Sequence, residues 1–194
     1  QGKTGSFDLY NGSARVAGRT NEFSYSLNLD HTRGGIDKNE ISINVTDTQA
    51  SHVGGKLTFD QKKWGRYEIG LNYNFDQQHG QDPIFRTGTD VNRNDGYLSW
   101  KKAFAKKFEF SSRFFGTDNK RKYTEIVRHS GNVARVDETS ETIWGVKNDA
   151  SYHFCDYSKV DIGYDYSVDD YNSERIYNNK YTRMQHGMFL HSET

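Results

Sequence analysis

The chain has 194 residues, enough for one domain, and only 33% of them are hydrophobic, yet it carries 13 Tyr, 12 Phe and 3 Trp, which excludes a disordered chain. Its 26 Lys and Arg balance 26 Asp and Glu, so net charge gives no electrostatic ground for nucleic-acid binding. The lone Cys155 excludes an intrachain disulfide framework. No apolar run approaches the ~20 residues of a membrane-spanning helix. The first residues carry no secretory leader, so the chain reads as a mature protein or a piece of one.

Alternation with a period of two dominates, and helical spacing is almost absent. The first segment, "GSFDLYNGSARVAG" (5–18), alternates poorly and predicts a register shift midway. In "EFSYSLNLDH", Phe23, Tyr25, Leu27, Leu29 and His31 share one face, opposite Ser24, Ser26, Asn28 and Asp30. Val53, Gly55, Leu57 and Phe59 follow the same rule, then Tyr67, Ile69, Leu71, Tyr73 and Phe75. Phe108, Phe110 and Phe114 form the next apolar row, and Trp144, Val146, Ala150, Tyr152 and Phe154 the one after it. In "VDIGYDYSVD", Val160, Ile162, Tyr164, Tyr166 and Val168 alternate without a break with Asp161, Gly163, Asp165, Ser167 and Asp169. The last segment places Met184, His186, Met188 and Leu190 on one side. These segments predict about nine strands.

The connections alternate in length. Short ones fall at 18–22, 61–65, 102–107 and 155–159, and long polar ones at roughly 32–51, 77–94, 117–140 and 169–180. An up-and-down meander with all its tight turns at one end has this asymmetry, as transmembrane β-barrels do. The polar faces run to Gly, Ser, Asn and Asp, which suits a wet interior. Tyr and Phe near strand ends suit the aromatic girdles of a membrane barrel. The expected fold is therefore all-β, an antiparallel transmembrane β-barrel meander. A soluble ligand-binding β-protein of lipocalin type is the alternative that composition leaves open.

The segments "GSFDLYNGSARVAG" and "EFSYSLNLDHTRGG", joined by a tight turn, resemble the first barrel hairpin of TonB-dependent outer-membrane receptors. The acidic, glycine-containing step from Asp30 to Gly35 is similar to that family's entry into an external loop. "HVGGKLTFDQKKWGRYEIGLNYNFDQQHG" is similar to the following hairpin. In the closing "YTRMQHGMFLHSET", Phe189 and Glu193 fit the family's strand pattern, while His191 stands where Gln is usual. The resemblance runs along nearly the whole chain on motifs that are individually weak, and it points toward cobalamin and siderophore receptors. It implies a place in the outer membrane of a Gram-negative bacterium. It also implies import of a ferric siderophore, haem or cobalamin, with a plug domain and the TonB system acting through the full-length protein. The chain departs from the family in having no plug, no energy-coupling motif, no terminal aromatic, and far fewer than the family's ~22 strands. The expectation is a single barrel segment over 1–194, an incomplete portion of a larger barrel. A small complete outer-membrane barrel with a structural, adhesive or pore role is the alternative.

No enzymatic constellation is present: GxSxG, HExxH, P-loop and CxxC are all missing. Asp161 and Asp165 would lie about 13 Å apart along a strand, a wetted face rather than an acid/base pair. Asp82, Asp90 and Asp95, with Asn92 and Asn94 between them, form an oxygen-rich segment that could hold Ca²⁺, although the spacing is not that of an EF-hand. The cobalamin receptors that the chain resembles use loop carboxylates in that way. Seven histidines are scattered, with His31 and His186 on the apolar parity and His79 and His129 in loops, so none is nominated for haem. Ligand contacts are expected from Phe85, Arg86, Arg121, Tyr123, Arg128 and Arg135, because Tyr and Arg grip a large polar ligand or an anionic chelate. The basic run 120–122 is compatible with contact to lipopolysaccharide, and the apolar faces with membrane lipid.

Overall fold

The computed structural model describes residues 7–36, 47–105, 107–155, 158–175 and 179–193. They form one sheet of nine strands: β1 (Phe7–Arg19), β2 (Phe23–Ile36), β3 (Asp47–Gln61), β4 (Gly65–Gln81), β5 (Phe85–Ala105), β6 (Phe108–Val127), β7 (Val133–Cys155), β8 (Ser158–Ser173) and β9 (Lys180–Glu193). Spatial order equals chain order, and every neighbouring pair is antiparallel. The expected up-and-down meander is present. β1 pairs with β2 without interruption from Phe7 to Arg19, so the shift expected midway does not occur. Register breaks fall instead at Ala103/Ala105, Glu125/Ile126 and His153/Cys155, near strand ends.

The alternation read along each strand persists across the sheet. Leu27, Gly55, Leu71, Gly96, Gly116, Trp144, Val168 and Met184 are successive cross-strand partners and make one continuous row on the apolar face. Almost nothing covers this face. Val168, at 5% exposure, is the one buried hydrophobic residue among those described, whereas Leu71 in the middle of β4 is 65% exposed. On β8 the apolar band runs from Val160 to Val168, about 27 Å along the strand and within the roughly 9–11 residues of a tilted transmembrane β-strand. Near the short turns its edge is aromatic. Trp100 lies 6.5 Å from Tyr67, 6.0 Å from Phe104 and 5.8 Å from Phe110, between ring centroids. Trp100 Nε1 also donates to the Trp64 carbonyl at 2.9 Å. That bond braces the turn whose last bend uses Gly65 at φ 90°, a backbone region that favours glycine.

On the polar face, rings lie over cross-strand glycines. A Cβ added to Gly70 would stand 2.2 Å from Tyr97 Cε1, one at Gly145 2.7 Å from Phe115 Cζ, and one at Gly163 2.0 Å from Phe189 Cε1. Each glycine is the direct partner of its aromatic. A flat ring over a bare backbone fills the gap that glycine leaves and pins the register, a device used in designed sheets as aromatic rescue.

The short connections are as expected: two or three residues separate β1 from β2, β3 from β4, β5 from β6 and β7 from β8. The long ones differ from expectation. Apart from the tips 82–84 and 128–132, residues 77–94 and 117–140 are ladder, because β4 runs to Gln81, β5 starts at Phe85, β6 ends at Val127 and β7 starts at Val133. Beyond the apolar band these strands are wetted on both sides and carry no hydrophobic alternation that would reveal them. Backbone hydrogen bonding continues without it. The connection expected at 32–51 is strand as far as Ile36 and again from Asp47, and β8 extends to Ser173. Within those two connections, residues 37–46 and 176–178 lie outside the described residues.

Candidate functional site

The polar extensions of β5 to β8 carry most of the residues expected to contact ligand. Phe85, Arg121, Tyr123 and Arg135 lie on strands and share the polar-face parity. Their cross-strand partners are Val127, Thr139, Asp137 and Glu125 respectively. Arg86 has the opposite parity and is paired with Gln81 and Ile126. Arg128 sits in the tip between β6 and β7, where Nη1 donates to the Asp82 carbonyl at 2.9 Å and the backbone N–H to Ile84 O at 2.9 Å. It is therefore a brace between two hairpin tips. The basic run is divided in the same way. Lys120 and Lys122 share the apolar-face parity and pair with Asp118 at 3.6 Å and Glu138 at 2.9 Å, while Arg121 points to the other side.

The structure does not bring Asp82, Asp90 and Asp95 together. Asp82 lies in the turn between β4 and β5, where its Oδ1 accepts from Ile84 N at 2.7 Å and Phe85 N at 2.6 Å. These backbone donors, aided by Arg128, hold its pKa below the usual carboxylate value. Asp90 and Asp95 lie on β5 with opposite parity. Asp90 accepts from Gln77 Nε2 at 2.9 Å, and Asp95 accepts from Arg93 Nε at 3.0 Å and Thr117 Oγ1 at 2.8 Å. A strand separates what a loop would have gathered. Among the described residues no three His, Cys, Asp or Glu side chains are grouped to hold a metal ion. His31 Nδ1 is 2.9 Å from Ser51 Oγ, and His186 Nδ1 is 2.9 Å from Tyr164 Oη, both on the apolar-face parity as expected.

The centre of the polar-face cluster is Asp137, which sequence reasoning missed. Its carboxylate is shared by two guanidinium groups. Arg135 Nε lies 2.7 Å away, and Arg175, thirty-eight residues further along the chain, donates Nη2 to Oδ2. The Arg135 guanidinium lies 6.0 Å from the Tyr123 ring centroid. Arg175 also senses Tyr123 and Tyr171, while Asp137 holds its pKa above the ordinary arginine value. The cluster thus shares one carboxylate between two guanidinium groups, flanked by phenols, with Glu125 across from Arg135 and Arg121 one step away along β6. Such a surface attracts a bulky anion and offers planar N–H forks to its oxygens. No sequence motif pointed to Asp137 or Arg175, since only cross-strand pairing brings them beside Tyr123.

Asp137 is also pH-sensitive. The bond from Arg175, then the charge of Arg135, hold its pKa below its ordinary value of 3.8 against the opposing effect of burial. A carboxylate lowered on folding contributes fully above its unfolded pKa and loses that contribution as pH falls through the folded one. The expected result is that amide protection in 170–175, measured by hydrogen exchange, is constant from neutral pH down to about 4 and falls only at still lower pH. Asp137→Asn should remove this acid step. A step centred above pH 5 would contradict the assignment.

No protein-family model matches this sequence, and no curated protein sequence aligns with it. Solved structures do match. The copper transporter OprC superposes with a TM-score of 0.78 at 9% identity, over 95% of this chain and 33% of its own. The alcaligin outer-membrane receptor FauA from Bordetella pertussis superposes with a TM-score of 0.76 at 10% identity, over 96% of this chain and 32% of its own. The chain therefore spans about one third of the length of each. At these identities the likeness establishes the fold. The nine-stranded open sheet has the fold of part of a larger β-barrel, the fold that the resemblance to TonB-dependent receptors implied.

Proposed function

We propose that this chain is wall and external hairpins of a TonB-dependent receptor in a Gram-negative outer membrane, and that the whole protein imports a nutrient carried as an anionic metal chelate. The observation that carries the reading is the uncovered apolar face, in register across the sheet and as long on β8 as a transmembrane strand. Turned to lipid, that face needs no protein cover. The polar face then lines a lumen, and the extended ends of β4 to β8 stand outside the membrane. There Arg121, Tyr123, Arg135 and Arg175 would meet the ligand first, with Asp137 spacing the two guanidinium groups. OprC is a copper transporter and FauA a receptor for alcaligin, so a copper or ferric complex is the ligand class this reading favours over cobalamin or haem. A plug in the lumen and an inner-membrane motor would belong to the full-length protein. The reading includes no calcium, because Asp82, Asp90 and Asp95 serve three different local contacts.

The test is uptake in cells carrying the full-length gene, its deletion, or Arg135→Ala with Arg175→Ala. Each strain is given labelled copper or a panel of ferric siderophores under metal limitation. Deletion should abolish uptake of one complex. The double substitution should raise the concentration needed for half-maximal uptake by about tenfold or more, the loss of two charge-assisted contacts. Deletion without effect on every complex would refute import of this class.

A further inference from the structure

Lower on the polar face, at the level of the apolar band, β4 to β7 enclose a recess of about 430 Å³ lined by Arg93, Asp95, Tyr97, Arg113, Phe115 and Lys147. Its central feature is the Arg113 guanidinium, stacked 4.0 Å from the centroid of the Tyr97 ring. Tyr97 is itself immobilised. Its ring covers Gly70, and its hydroxyl donates to Glu68 Oε1 at 2.6 Å. Phe115 is held in the same way over Gly145, and Lys147 lies 6.0 Å from its ring centroid. Of the three cations here, Arg93 has Asp95 at 3.0 Å and Lys147 has Asp165 at 3.7 Å. No described residue supplies Arg113 with a carboxylate. The contact with the ring restrains the guanidinium at the wall of the recess, and its N–H groups have no hydrogen-bond acceptor among the described residues. Little side-chain entropy then remains to be lost when a partner arrives.

We infer that this recess is a carboxylate-binding site, with Arg113 as the bidentate contact and Lys147 as a second cation. The inference rests on the reading that the polar face encloses a lumen, but not on which nutrient passes through it. A carboxylate is chosen over a softer or neutral group because the open guanidinium edge presents two parallel N–H donors, the geometry that two carboxylate oxygens match. The carboxylate comes either from an Asp or Glu side chain of a protein segment seated in the lumen or from a small solute there. The chemistry is the same in both cases, and the test separates them.

The full-length protein is purified as wild type, Arg113→Ala and Arg113→Lys. Arg113 is exposed, so its removal leaves the packing of the wall intact, and retention of heat-modifiable mobility on gels verifies folding of each variant. Citrate binding is measured by calorimetry. In a second experiment a photo-crosslinking residue replaces Thr117, which lines the recess, with and without Arg113→Ala. If the source is a solute, citrate binds the wild type, salt weakens it, and Arg113→Ala weakens it about tenfold or more, with Arg113→Lys between. If the source is a protein side chain, citrate does not bind, and the probe at 117 crosslinks to an acidic peptide outside residues 7–193. That crosslink should diminish when Arg113 becomes Ala. Citrate binding equal or absent in all three proteins, together with crosslinks that Arg113→Ala leaves unchanged, overturns the inference. Failure of uptake for every metal complex leaves these results standing, so the two readings fail separately.

Discussion

Leu71→Arg should cost about 2–4 kcal/mol of folding stability in a bilayer, whereas Asn72→Arg, one residue along, should cost under about 1 kcal/mol. Leu71 occupies the middle of the apolar band on β4, between Gly55 and Gly96, and is 65% exposed. In hydrocarbon a guanidinium at that depth is desolvated with no partner in reach. Asn72 points to the opposite face, where a charge stays hydrated. The measurement is urea-driven unfolding of the full-length protein from lipid vesicles, followed by the mobility difference between folded and unfolded barrels on gels. The contrast matters more than either number. On a soluble β-protein a solvent-exposed Leu→Arg change would be neutral or favourable, so the sign at Leu71 decides between lipid and water. Equal effects at the two positions would sink the membrane assignment.

Gly145→Ala is expected to destabilise the sheet by about 1–3 kcal/mol. A Cβ there would stand 2.5 Å from the carbonyl oxygen of Tyr166 and 2.7 Å from Phe115 Cζ. The ring can swing away. The carbonyl cannot, because β7 is laddered on both sides and Tyr166 belongs to the neighbouring strand. Gly116→Ala is the control, since its nearest neighbour, the Ile143 carbonyl oxygen, stands at an ordinary 3.7 Å. Urea midpoints of the two variants, with Phe115→Ala added to Gly145→Ala, separate the causes. If the ring alone obstructs, the double variant recovers most of the loss beyond that of Phe115→Ala itself. If the backbone contact dominates, it recovers little. A midpoint for Gly145→Ala matching that of Gly116→Ala would mean that the sheet yields at this position.

Much of this protein was legible in its residues alone, and the reason is local. A strand with oil on one side and water on the other writes its two faces into every second residue. Val160 to Val168 and Tyr67 to Tyr73 therefore announced both the strand and its apolar side. Short turns at one end followed from the same reading. The extent of the strands did not, because above the band β5, β6 and β7 meet water on both sides, and only backbone pairing shows that 77–94 and 117–140 are ladder apart from their tips at 82–84 and 128–132.

The rim cluster and the recess were beyond the sequence for a different reason. Tyr123 meets Asp137 through the register of β6 against β7, and Arg175 reaches the same carboxylate from beyond β8. Arg113 lies over Tyr97 only because β5 and β6 are adjacent. Alternation is a property of one segment and survives in the sequence as a pattern. Register is a property of two segments, held by backbone hydrogen bonds that look alike at every residue and by rings seated over glycines on the neighbouring strand. The faces were therefore decided by the residues themselves, and the sites by the pairing of strands in the folded sheet.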